Sequence, residues 1–112
     1  MPRNVADDSM DIDDFGRFSE PALLILVSLA EGPKHGYAMT DDIAAIADVR
    51  LGPGTLYGAI TRLEERGWIR AIESDDRRRP YRLTAEGRRY LREELAGLDR
   101  FVKTGLRRLK PA

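Results

Sequence analysis

Gly52-Pro53-Gly54 divides the middle of the sequence into two short stretches of helical spacing. A proline is tolerated in a first helical turn but not in a helix interior, so one helix must end before this tripeptide and another begin on it. Ahead of it, a helix is predicted to start near His35, with Met39, Ile43, Ile46 and Ala47 turned inward and Asp41, Asp42 and Asp48 facing water. Behind it, Leu56, Ile60 and Leu63 recur at i, i+4 and i+7 until Gly67, leaving Thr55, Gly58, Thr61, Arg62 and Glu65 outward or lateral. Two short helices joined by a glycine-bearing connection form a helix-turn-helix.

The flanking segments complete a small architecture. Ser19 is expected to cap a first helix, with Glu20 and Pro21 in its first turn; Leu23, Leu24, Leu26, Val27 and Ala30 make it a core helix that ends at Gly32-Pro33. After Gly67 the period becomes extended: Trp68 to Glu73 and Pro80 to Thr84 flank a polar loop, which predicts a β-hairpin. Pro80 belongs at a strand start or an edge, and Trp68, Ile69, Tyr81 and Leu83 should in part pack back onto the helices. Thr84 caps a last helix from about Ala85 to Leu109, which at 1.5 Å per residue is ~37 Å long. Its stripe, Leu91, Leu95, Leu98, Val102, Leu106 and Leu109, follows spacings of 4, 3, 4, 4 and 3 and resembles a coiled-coil seam. So small a domain leaves part of that stripe uncovered, which calls for a twofold homodimer paired through these six residues. The alternative is a helix that serves its own core and frays after Leu98, since Gly97 and Gly105 both weaken it. The expected fold is mainly α with a small β-hairpin, a winged helix-turn-helix plus a long C-terminal helix. It divides into an acidic tail (1–17), a DNA-binding domain (18–84) and a dimerisation helix (85–112).

Composition narrows the function. The 112 residues hold no cysteine and one histidine, which excludes disulfides, thiolate metal sites and thiol catalysis; no cofactor is expected, and an enzyme is disfavoured. The run from Ala22 to Ala30 is far short of the ~20 residues a membrane span needs, and the Asp-rich start resembles no export signal, so a cytoplasmic chain without membrane partners is expected. Asp11, Asp13 and Gly16 fit three positions of a calcium loop, but Phe15 and Ala22 occupy two others and the bidentate glutamate is missing. Net charge is zero, yet residues 1–20 hold 2 basic and 6 acidic side chains, residues 21–49 hold 1 and 4, and residues 50–112 hold 16 and 9. Positive charge gathered in one part of a chain suits a polyanion.

Double-stranded DNA is the polyanion the architecture fits. The second helix of a helix-turn-helix enters the major groove by its N-terminal turns, which makes Thr55, Tyr57, Thr61 and Arg62 candidate contacts. Arg62 suits bidentate readout of a guanine; the bland reading is a surface pair with Glu65. Arg77, Arg78 and Arg79 at the hairpin tip would repel one another unless a phosphate backbone or minor groove lay close; otherwise they are a solvated loop. Lys34 and His35, at the start of the second helix, are placed to touch phosphate, with a structural role the stronger reading for His35. Tyr37, Tyr57, Tyr81 and Tyr90 read as half-buried packing residues, Tyr57 alone being placed for DNA as well. Trp68 and the last helix can line a small pocket for an aromatic effector, although a core role suits a lone tryptophan better.

Several motifs occur in order: His35-Gly36-Tyr37-Ala38-Met39, Leu51-Gly52-Pro53-Gly54-Thr55-Leu56-Tyr57, Arg62-Leu63-Glu64, Gly67-Trp68-Ile69, and Arg77-Arg78-Arg79-Pro80-Tyr81-Arg82-Leu83-Thr84 with Gly87. Together they resemble the PadR family of transcriptional regulators, from Ala22 to about Leu109. The resemblance implies a winged-helix dimer that usually represses transcription, with the last helix paired across the twofold and small-molecule effectors often bound near the dimer interface. It also implies that Gly54-Thr55-Leu56-Tyr57 opens the recognition helix and that Arg77 to Arg79 with Tyr81 form the wing. Trp68 stands where a smaller aliphatic residue is frequent, the acidic tail is unusual, and the C-terminal region matches the subgroup with a single terminal helix. The competing function is a winged-helix protein–protein interaction module that does not read DNA, with the tail covering the basic face or recruiting a partner.

Overall fold

The computed structural model describes residues 20–75 and 77–111. Helix α1 (Pro21–Ala30) begins on a proline, where a missing amide donor costs little, and Glu20 stands at its N-cap position without a side-chain bond. The cap expected at Ser19 lies outside the described residues. Leu24, Ile25, Leu26 and Leu29 are all buried, so α1 is the post around which the other elements pack.

Strand β1 (Lys34–His35) precedes α2 (Gly36–Ala47), and His35 caps that helix by accepting the Ala38 amide on Nδ1 at 3.4 Å. Helix α2 ends at Asp48, in the left-handed region at φ 57°, and α3 (Pro53–Glu65) follows the Gly52-Pro53 break. Met39, Ile43, Leu56, Ile60 and Leu63 are buried as their spacing predicts. Ile46 is not: it continues the spacing but is exposed, because periodicity marks a helix face and not where the neighbouring helix stops. Asp42 also departs from expectation, since it turns toward α1 and accepts the Ser28 hydroxyl at 2.7 Å.

Gly67, at φ 78°, turns the chain from α3 into β2 (Ile69–Ala71), which pairs antiparallel with β3 (Pro80–Leu83) in the register Ile69 to Leu83, Arg70 to Arg82 and Ala71 to Tyr81. The expected hairpin is therefore present, but it belongs to a three-stranded sheet of order β1-β3-β2. Lys34 lies opposite Tyr81 and His35 opposite Pro80, so these two residues are strand and not the start of α2. Pro80 is the first residue of the central strand, where its missing donor removes no bond from within the ladder. Ile69, Tyr81 and Leu83 are buried and join one core with α1, α2 and α3.

Thr84 caps α4 (Ala85–Leu109) by accepting the Gly87 amide at 3.0 Å. Leu91 is buried, Leu98 is half-buried, and beyond them the helix continues through Gly105 to Leu109 instead of fraying. Leu95, Phe101, Val102, Leu106 and Leu109 are exposed, the last at 80%. The molecule measures 59 × 33 × 25 Å, and α4 supplies much of the long dimension. No helix of the described residues is long and apolar enough to cross a membrane.

Candidate nucleic-acid interface

Three segments converge on one side of the molecule. The start of α3 presents Gly52, Pro53, Gly54 and Thr55 to solvent, so its first turn offers amides unscreened by side chains at the positive end of a thirteen-residue helix. Tyr57, one turn on, is 49% exposed. Its ring lies over Gly36, the first residue of α2, where any Cβ would collide with it. The wing loop completes the group: Arg77, Arg78 and Arg79 share a cleft of about 350 Å³ with His35, Tyr37 and Tyr57. β1 holds this arrangement together, because its pairing with β3 ties the start of α2 to the strand that leaves the arginine loop.

The candidate residues differ in how free they are. The Arg62 side chain makes no hydrogen bond or ion pair with any described residue, so the surface pair with Glu65 does not form. Thr61 donates its hydroxyl back to the Tyr57 carbonyl at 3.0 Å and keeps only acceptor capacity outward. Thr55, Thr61, Arg62 and the three wing arginines are exposed. Lys34 is the exception. Its side chain is only 13% exposed, and its ammonium donates to the Ser28 carbonyl at 2.5 Å while lying 2.7 Å from Glu31 and 3.9 Å from Asp42. That geometry makes it an internal tie between α1 and α2.

Other exposed residues were not marked as such by the sequence. Tyr37 is 67% exposed, not half-buried. It sits about 200° around the helix from buried Met39, so the same periodicity that marks the core could have placed it outward. Tyr37, Arg50, Pro53 and Tyr57 line a second, largely apolar hollow of about 450 Å³. Arg50 there pairs with Asp41 at 3.3 Å, an exposed contact of small energetic weight. Arg70 and Arg82 face one another across β2 and β3, both exposed. Their signal was alternation: with Ile69, Tyr81 and Leu83 inward, these two must point out.

Trp68 has a different setting. Its ring stacks on Tyr90 of α4 with centroids 3.8 Å apart and planes 15° apart, and the Arg66 guanidinium lies 5.2 Å over the indole. Burial, with the carboxylates of Glu94 and Glu20 nearby, pushes the Tyr90 phenol above its ordinary pKa. Trp68 also borders a groove of about 520 Å³ shared with Leu23, Leu26, Leu63 and Leu98. The packing role and the groove coexist.

A helix-turn-helix followed by a small sheet, with a basic loop carried beside the second helix, defines a winged-helix protein. The model of the PadR-like family of transcriptional regulators matches residues 25–93. A transcriptional regulator from Clostridium thermocellum superposes with a TM-score of 0.71 at 28% identity, covering 91% of this chain and all of its own. A PadR family transcription regulator from Clostridium difficile also gives 0.71, at 25% identity over 80% of this chain and 97% of its own. A 37.1 kDa transposon protein of Streptomyces fradiae is 43% identical over 84 residues, which are 75% of this chain. The chain spans about a quarter, 24%, of that relative's length. The chain belongs to the PadR-like family of transcriptional regulators.

Proposed function

We propose that two copies of this chain pair through α4 and bind a palindromic operator as a repressor, each copy placing the start of α3 in a major groove and its wing on the adjacent backbone. The observation that carries this reading is the cleft in which the arginine loop and Tyr57 of α3 meet: one polyanion can touch both at once. Thr55, Tyr57, Thr61, Arg62, Arg77, Arg78 and Arg79 form the contact set, and Arg62, with no internal partner, serves for base readout. Lys34 is left out of that set because its ammonium is engaged within the fold. Leu95, Leu98, Val102, Leu106 and Leu109 form the dimer seam, and the exposure of Leu95, Val102, Leu106 and Leu109 in the single chain supports it; Leu91, the first residue of the expected stripe, is buried in the core of its own chain and is left out.

A small effector fits the reading as a ligand of the groove beside Trp68, whose volume of about 520 Å³ is of small-molecule size. Tyr90 and Arg66 already occupy the indole, so such a ligand would meet its edge and the aliphatic wall.

Selection of bound DNA from a random pool tests the proposal. The expected product is an inverted repeat with half-site centres one helical turn apart, ~34–36 Å, bound with an affinity that falls by ~0.9 in log–log slope per phosphate neutralised. Failure to enrich any sequence at low salt would leave the interaction module as the standing alternative.

A further inference from the structure

We propose that the contact of Trp68 with Gly87 and Tyr90 is a rigid joint, through which the orientation of α4 fixes where the wing and α3 lie; Tyr90 is its positioning residue. The inference rests on the reading of a DNA-binding dimer paired through α4.

Four observations place the joint. The Thr84 hydroxyl donates to the Gly67 carbonyl at 2.7 Å while accepting the Gly87 amide, so one side chain caps α4 and grips the turn leaving α3. The Thr84 amide donates to the Trp68 carbonyl at 3.0 Å, and the Trp68 amide donates to Leu63 in the last turn of α3 at 3.1 Å. Gly87 lies so close that an added Cβ would run into the Trp68 backbone, 2.8 Å from its carbonyl carbon; backbone cannot swing aside as a side chain would. One turn along α4, the Tyr90 ring lies flat on the indole, 3.8 Å away. Main-chain bonds hold the pivot point, and the stacked rings oppose rotation about it.

The physical consequence concerns distance. A helix of 25 residues is ~37 Å long, so a few degrees of rotation at its root displace the far end by ångströms. If two copies are joined along the far part of α4, that rotation changes the separation of their reading surfaces, which half-site spacing records. A joint made only of main-chain bonds would leave the spacing loose; the ring pair narrows it.

The chain has no cysteine, so Arg70→Cys on β2 and Lys103→Cys on α4 take spin labels uniquely. The doubly labelled chain, diluted into unlabelled protein, reports the wing-to-α4 distance within one copy and needs neither DNA nor a defined oligomer. The parent and Tyr90→Phe, which keeps the ring, are expected to give one narrow distance, and Tyr90→Leu a broad or displaced one. In the DNA selection, Tyr90→Leu should accept several half-site spacings and lose about tenfold in affinity at the parental spacing. Should Tyr90→Leu fail to fold, Trp68→Leu takes its place, with the same broadening expected. A Tyr90→Leu or Trp68→Leu chain with the parental distance width and spacing preference overturns the joint. A parent chain with a narrow distance that enriches no DNA upholds the joint and removes the DNA-binding reading instead.

Discussion

The phenol of Tyr57 occupies the space a side chain at residue 36 would need: a Cβ on Gly36 would stand 2.9 Å from Tyr57 Cζ. The first residue of α2 therefore sets the position of an exposed ring on α3. Gly36→Ala should push that ring outward without unfolding the protein, since the ring is half exposed and can move into solvent. The expected outcome is a melting temperature near that of the parent and an operator affinity about tenfold lower by fluorescence anisotropy, a loss equivalent to about 1.4 kcal/mol. Unchanged affinity would show that the place of Tyr57 is immaterial to binding.

Arg70 and Arg82 oppose one another across two strands, an arrangement that costs about 0.2–1 kcal/mol relative to a neutral pair. Arg82→Thr puts a good strand former at the position and removes the repulsion. Thermal unfolding should shift upward while DNA affinity drops, most visibly at low salt. A variant both less stable and equally tight on DNA would mean that the pair serves the fold.

Lys34 ties α1 to α2 through the Ser28 carbonyl and Asp42, while its shorter contact to Glu31 involves a carboxylate 71% exposed and contributes little. Lys34→Met strands part of that buried polar group and should cost about 1–3 kcal/mol in urea unfolding. The salt dependence of DNA binding by the folded protein should not change. A slope lower by ~0.9 would instead return Lys34 to the phosphate contacts.

These cases show what was legible in the sequence. The helices were, because Leu56, Ile60 and Leu63 repeat often enough to define a face, and Thr84 stands where a cap belongs. β1 was not, since two residues have no period; with it went the tie between α2 and the wing. The charge of Lys34 and its position along the chain are visible in sequence, whereas the Ser28 carbonyl that takes up its ammonium is supplied by a helix end six residues earlier. The outward place of Tyr37 was legible too, since the helical wheel that turns Met39 inward turns Tyr37 to solvent. The stacking of Trp68 on Tyr90 joins residues whose contact depends on the angle at which α4 leaves the sheet, and spacing does not encode that angle.

Tyr90 gives a pH test with a definite sign. Burial, then Glu94 and Glu20, raise its pKa in the folded chain, only partly offset by Arg66, so the folded state holds the phenolic proton more tightly than the unfolded one. Its stabilisation is present in full below the unfolded value near 10 and is lost as pH rises toward the raised folded value. Between about pH 9 and 11 the parent should therefore lose thermal stability faster than Tyr90→Phe, which cannot ionise. Equal slopes for the two proteins over that range would mean that the phenol titrates alike folded and unfolded.

Leu106 separates a solvent-exposed helix face from a covered one. It is 62% exposed in the single chain, so Leu106→Asp removes almost no burial within one copy and, on an isolated helix, should change stability by less than about 0.5 kcal/mol. If a second α4 lies against it, the same change buries a carboxylate in an apolar seam, which costs several kcal/mol unless the pair opens. Sedimentation should then show the parent as a dimer and Leu106→Asp as a folded monomer, with retained helical circular dichroism. Operator affinity should fall with it, because half-sites bound independently lose the advantage of linkage, on the order of a hundredfold. Equal sedimentation of the two proteins would place the dimer contact elsewhere, or remove it.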